Sequence, residues 1–199
     1  MEMIVVSNPV PFKREPEILN RLFDQGLLVL HLRKPAYTKM KYRELLKKIK
    51  SEHHQKIALH QYHELAVEFG IHRFHYPEKS RTESIIPPKL KGQVYSTSVH
   101  YLKDFDQDLS GFDYVLMGPV FDSISKTGYK EMDYKNHPNQ LKNNNIKIYG
   151  IGGITPGNGL KTQKYGFYGV AIMGYLWQQK DPVATYRLIK KTWNTADQL

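Results

Sequence analysis

The residues of this chain best suited to hold negative charge are Arg33, Lys126 and the pair Gly152-Gly153. Arg33 closes a mostly apolar run and offers planar, permanently charged donors that match a phosphate or pyrophosphate. Lys126 stands among Ser123, Ser125 and Thr127, a polar segment of the kind that closes over an anion. Gly152 and Gly153 end another apolar run and precede Thr155, a candidate N-cap, and Pro156, a candidate first helical residue. Without a Cβ, such a turn lets an oxyanion approach backbone N–H groups at the start of a helix. Each feature also has an ordinary reading: a rim ion pair, a solvated loop, a tight turn without a ligand.

Further polar residues fall at the ends of apolar runs. His31 and Arg33 share strand parity, as do Ser98 and His100. Ser98 offers a hydrogen bond to a ligand and His100 a proton near neutral pH. A Ser–His pair without an acidic orienter is weak evidence for a hydrolase. Met173 and Gly174 end the last apolar run and present backbone N–H groups beside Gly153. His60, His63, His72 and His75 invite a metal reading, but their spacing matches no helical zinc motif and no cysteine completes a set. Packed or hydrogen-bonded histidines are expected there, and no metal ligands are assigned.

The elements that must position these groups alternate from end to end. Strands are predicted at residues 4–6, 27–32, 56–60, 71–75, 94–98, 113–117, 146–151 and 168–173. Helices are predicted at 16–23, 37–50, 62–69, 102–109, 156–164 and 182–193, with a weak one near 138–143. Three prolines between residues 76 and 92 argue against a long helix there. Eight βα units in 199 residues imply a single (β/α)8 TIM barrel over residues 1–199, at the small end of that fold's range. A doubly wound sheet would more naturally carry its glycines after the first strand, where this chain has Ser7-Asn8-Pro9-Val10-Pro11. In a barrel, chemistry lies on loops at the carboxyl ends of the strands, where all the candidates above fall.

Composition narrows the class. The absence of cysteine excludes disulfides, thiolate metal sites and a cysteine nucleophile, and fits a cytoplasmic setting. The first residues read as a strand rather than a signal peptide, and no apolar run approaches the roughly 20 residues of a membrane span. The net charge of +10 is spread along the chain, without a nucleic-acid recognition pattern. The expected partners are small phosphate or pyrophosphate substrates, not nucleic acid or membrane, with a homodimer as the candidate assembly.

The ordered set Arg33, Ser98-Val99-His100, Asp113 to Phe121 followed by Ser123, Ser125 and Lys126, then Gly150 to Pro156, and Gly169 to Met173 resembles thiamine phosphate synthase and its TenI-type relatives. The resemblance implies an enzyme of thiamine biosynthesis that joins hydroxymethylpyrimidine pyrophosphate to a thiazole phosphate. Arg33 and Lys126 match the family's pyrophosphate positions, and Ser98 a substrate-contacting serine. Gly152, Gly153, Met173 and Gly174 match the thiazole phosphate site. His31 stands where the synthase usually has a glutamine that touches the pyrimidine. The resemblance also implies magnesium beside the pyrophosphate. The acidic positions that would hold it are occupied here by His60-Gln61 and by Pro77-Glu78-Lys79-Ser80. A TenI-type thiazole tautomerase is the alternative enzyme, although its catalytic histidine falls at Pro119, so His100 or His31 would have to substitute. A protein that kept the phosphate pocket and lost the chemistry is the alternative outside the enzymes, and a plain phosphosugar barrel enzyme is a further reading.

Overall fold

The structure is a computed structural model and describes residues 1–83, 85–121, 141 and 145–196. Eight parallel strands close in sequence order, each hydrogen-bonded to the next and β8 back to β1. They are β1 (Glu2–Val6), β2 (Val29–Leu32), β3 (Ile57–Leu59), β4 (Arg73–Tyr76), β5 (Val94–Val99), β6 (Tyr114–Met117), β7 (Lys147–Ile151) and β8 (Gly169–Ile172). The (β/α)8 barrel expected from the alternation of apolar runs is therefore the observed fold.

The outer layer carries α1 (Glu15–Asp24), α2 (Lys39–Lys48), α3 (Ala66–Phe69), α4 (Glu78–Thr82), α5 (Lys161–Lys164), α6 (Gly174–Trp177) and α7 (Pro182–Ala196). Helix α1 buries Leu19, Leu22 and Phe23, and α2 buries Tyr42, Leu45 and Leu46, in each case a 3–4-residue spacing that faces one stripe to the sheet. The Thr38 side chain caps α2 by accepting from Lys41 N–H. After β5 the expected helix is a 3₁₀ segment, Leu102–Asp106. Between β4 and β5 the described helix is only the five-residue α4. The weak helix near 138–143 lies outside the described residues, apart from Leu141, as do Ser123, Ser125 and Lys126.

One expectation is corrected. Thr155 and Pro156 do not start a helix; α5 begins only at Lys161. The Asn158 side chain folds back instead, accepting from Thr155 N–H (2.7 Å) and donating to Gly153 O (2.8 Å). Asx turns of this kind compete with helix, and Gly157 and Gly159 weaken helix further.

Inside the barrel the strands divide into two sectors. One is apolar: Ile4, Val6, Leu116, Tyr149, Ile151, Ala171 and Met173 pack together with Tyr114. The other, from β2 to β5, is lined by imidazoles and hydroxyls. His31 Nδ1 lies 2.9 Å from His60 Nε2, and His31 Nε2 lies 2.7 Å from the Tyr114 hydroxyl. His75 bridges Ser96 Oγ (3.0 Å) and Ser98 Oγ (3.1 Å). His60 and His75 stack at 4.1 Å. Burial first, then neighbouring positive charge, drives His31 and His60 well below the usual imidazole range and His75 down to about 3. The floor of the barrel is thus polar and uncharged at neutral pH.

A buried ion pair ties α1 to the end of β2. Lys34 Nζ pairs with Glu15 Oε1, both side chains almost wholly buried, and also donates to Asn8 O at 2.6 Å. Burial pushes Glu15 up and Lys34 down, each against the pull of its partner. Such a pair contributes little net stability, but removing one member strands a charge in the core. Lys34→Met is therefore expected to destabilise the fold by about 3–5 kcal/mol in urea unfolding, and Lys34→Met with Glu15→Leu to recover most of that loss.

The imidazole sector has its own signature. An unfolded histidine takes up a proton near its ordinary value of 6.5, whereas folded His75 refuses one until about pH 3. Stability is thus full above pH 6.5 and falls as the pH drops toward 3, by about 2 kcal/mol per such histidine between pH 6.5 and 5. Urea midpoints at pH 7.5 and 5.0 measure this slope, which His75→Gln is expected to flatten.

Candidate functional site

The described candidates lie at or beneath the carboxyl end of the barrel, where the strand register sets Gly152, Gly153, Met173 and Gly174 together. Ile151 of β7 stands opposite Ala171 of β8, so Gly153 and Met173, each two residues further on, leave adjacent strands side by side. Met117 of β6 stands opposite Gly150 of β7, which sets the turn after β6 against the diglycine turn. The two turns interlock. Val120 N–H donates to Ile151 O (3.0 Å) and Phe121 N–H to Gly152 O (3.2 Å). A Cβ on Gly118 would run into the Ile151 carbonyl. Gly152 has φ +98° and would carry a Cβ only 2.9 Å from Pro119 Cα. These glycines exist for close approach.

The N–H groups of Gly152 and Gly153 have no hydrogen-bond partner among the described residues, while the Gly153 carbonyl is held by Asn158. Because no helix starts here, an anion at this turn would be held by individual N–H groups rather than by a helix dipole. Beyond β8, α6 starts directly at Gly174, and Trp177 fixes it by donating its indole N–H to Val6 O at 2.7 Å.

Across the mouth, Arg33 has a fixed backbone and an exposed side chain. Ser7 Oγ accepts from Arg33 N–H (2.8 Å) and donates to Arg33 O (3.0 Å). Next door, Lys34 N–H donates to Gln61 Oε1 at 3.0 Å, joining the ends of β2 and β3. After burial and the neighbouring histidines, the Arg33 charge also lowers the proton affinity of His60, and it contributes likewise at His75. His31 is fully buried, and Ser98 is half-buried against His75.

His100 belongs to a different part of the rim. Asp104 accepts from the His100 and Tyr101 N–H groups (2.8 and 2.9 Å) and holds this turn. His100 Nδ1 lies 3.2 Å from Gly118 O, and Nε2 lies 3.6 Å from Glu78 Oε2. Arg81 stands 3.8 Å from Glu78, with its Nε and Nη2 buried and without a hydrogen-bond partner among the described residues. Sequence reasoning missed Arg81, Tyr114 and the buried Lys34–Glu15 pair. Only the parity of Tyr114 with Leu116 could have marked it as an interior residue. Nothing in the sequence signals the other two.

The residues present do not fit magnesium as the resemblance implies it. Where two carboxylates are expected, His60 offers a nitrogen, Gln61 has its carbonyl engaged by Lys34, and Glu78 stands between His100 and Arg81. A hard ion takes oxygen ligands, preferably charged ones, and this set supplies no carboxylate pair.

The chain is similar to known proteins along most of its length. A solved structure of thiamine phosphate pyrophosphorylase from Bacteroides thetaiotaomicron superposes with a TM-score of 0.79 at 28% identity, covering 98% of each chain. Its counterpart from Pyrococcus furiosus reaches 0.77 at 16% identity, covering 96% of this chain and 94% of that one, a likeness of fold. A thiamine-phosphate synthase from Nitrosococcus oceani is 36% identical over 88 residues, which is 43% of this chain and 41% of that protein. The match thus spans less than half of that curated relative. The model of the TMP-TENI family, described as thiamine monophosphate synthase, matches residues 3–176. That span runs from β1 through the glycine turns to α6, and the chain belongs to the thiamine monophosphate synthase family.

Proposed function

We propose that this barrel is a thiamine phosphate synthase-like transferase that couples a pyrimidine pyrophosphate to a thiazole phosphate. The observation that carries the reading is the shared rim. Arg33 is exposed at the end of β2 on one side, and on the other the N–H groups of Gly152 and Gly153, without partners among the described residues, sit beside Met173-Gly174. Two anionic groups of two substrates need two such places.

In this reading the bond between the pyrimidine methylene carbon and the pyrophosphate oxygen breaks first. The electron pair leaves with pyrophosphate, whose charge Arg33 takes up, with Lys126 in the same role by its position in the family motif. The thiazole nitrogen then supplies its lone pair to the pyrimidine cation, giving thiamine phosphate and pyrophosphate. The work is charge stabilisation at the leaving group, and little proton transfer is required. His31 is buried with both ring nitrogens engaged by His60 and Tyr114, so it supports the floor from below rather than touching the pyrimidine as the family's glutamine would. Ser98 contributes a hydroxyl at the substrate edge of that floor. The diglycine turn and the start of α6 hold the thiazole phosphate and fix the nucleophilic nitrogen. His100, turned toward Glu78, lies aside from this path and serves the rim.

Purified protein given both substrates and magnesium is expected to form thiamine phosphate and pyrophosphate, measured by chromatography. Absence of product with intact ligand binding would mark a phosphate-binding relative instead. Arg33→Ala is expected to weaken binding of the pyrophosphate-bearing substrate at least about tenfold, the loss of one charge-assisted contact of ~1.4 kcal/mol or more, with little change for the thiazole phosphate. Calorimetric titration of each substrate separates the two. Equal effects on both would overturn the division of the rim.

A further inference from the structure

The imidazole sector carries more than a hydrogen-bonded floor. One ring nitrogen from each of His31, His60 and His75 lies within 4.8 Å of the other two. The closest approach, His31 Nδ1 to His60 Nε2, is 2.9 Å. These residues come from β2, from just past β3, and from β4, so no short sequence motif announces them. We propose that His31, His60 and His75 form a site for one borderline divalent transition ion of the zinc or cobalt type, at the floor of the barrel mouth.

Three features support the assignment. First, two of the three rings have their second nitrogen held by oxygen. His31 Nε2 meets the Tyr114 hydroxyl at 2.7 Å, and His75 Nδ1 meets Ser96 Oγ at 3.0 Å. This is how the second nitrogen of a metal-bound imidazole is held, fixing tautomer and ring plane. Second, the three rings pack on one another as one unit, His31 edge-on to His60 and His75 at 5.1 and 5.2 Å and His60 stacked on His75 at 4.1 Å. Third, the cluster is closed below and open above. His31 and His75 are 0% and 2% exposed, whereas His60 is half-buried, with Arg33 exposed nearby. Three nitrogens with one open side is the arrangement that leaves a fourth position for water or a substrate oxygen. Imidazole nitrogens select zinc or cobalt over magnesium, the reverse of a carboxylate pair.

Binding would replace the His31–His60 hydrogen bond. His31 then carries its proton on Nε2, donating to Tyr114, and frees Nδ1 for the ion. His60 and His75 stack with ring planes 23° apart, so one of them must rotate for both lone pairs to meet at one centre. The His75 Nε2 contact with Ser98 is the one given up.

The test uses the full-length protein, stripped with EDTA and titrated with zinc and, separately, with cobalt, in the absence of substrates. Calorimetry is expected to show one ion per chain, and cobalt the intense visible bands of a four-coordinate site. Excess magnesium is expected to leave both unchanged. His60→Gln replaces the most accessible ligand and is expected to weaken zinc binding by about a hundredfold or more, as is His31→Gln. Circular dichroism and the thermal midpoint identify folded variants, and His60→Gln alone suffices if His31→Gln does not fold. Asp24, Glu52 and His53 form a second cluster near the surface, so Asp24→Asn serves as the control and is expected to bind like the parent. No uptake, uptake unchanged in His60→Gln, uptake lost in Asp24→Asn, or displacement by magnesium would each overturn the proposal. Because no substrate is present, the result stands apart from synthase turnover.

Discussion

A closed barrel of eight strands turns every second side chain into a small, dry interior, and whatever polar group lands there must find its partner among the others. In this chain the strands β2 to β5 send in His31, His75, Ser96 and Ser98, and His60 follows from the end of β3. Their mutual hydrogen bonds, completed by Tyr114 from β6, are the constraint on which the rest of the mouth depends. Unpaired, any of these groups would lose its water without compensation. Paired, they give a floor that is polar, rigid and uncharged.

The rim is built on a different principle. Its cation is exposed, but its backbone is not left to move. Ser7 holds both sides of the Arg33 peptide, and Lys34, one residue on, is locked to Glu15, Asn8 and Gln61. A buried ion pair is a weak source of stability, so here its value is positional: it joins the β1 loop, α1, β2 and β3 beneath one arginine. On the opposite side no charge is used. Glycines at 118 and 152 let two turns interlock and leave the N–H groups of Gly152 and Gly153 without partners among the described residues. The mouth therefore pairs an exposed charged donor with neutral backbone ones, a division suited to a leaving group on one side and a retained phosphate on the other.

Neutrality of the floor links stability to chemistry. The same burial that keeps His31, His60 and His75 unprotonated makes the fold sensitive to acid and leaves lone pairs directed inward. Histidine at positions where the family resemblance leads one to expect amides or carboxylates changes which ions the site favours, from hard to borderline, without altering the barrel that carries it.

The sequence by itself determined the strand and helix order, because period-2 and period-3.6 apolar patterns are local. It also placed the candidates at strand ends, and parity put His31 in the interior. The tertiary structure decided what met what. His31, His60 and His75 are far apart in sequence, and their contact follows from inter-strand register, which no single strand encodes. The Lys34–Glu15 pair likewise needs α1 packed against the end of β2. The start of the helix after β7 was misread from Thr155 and Pro156 because the Asn158 side chain reaches Gly153 and Thr155 first. Local preference proposes, and a hydrogen bond available only in the folded turn overrules it.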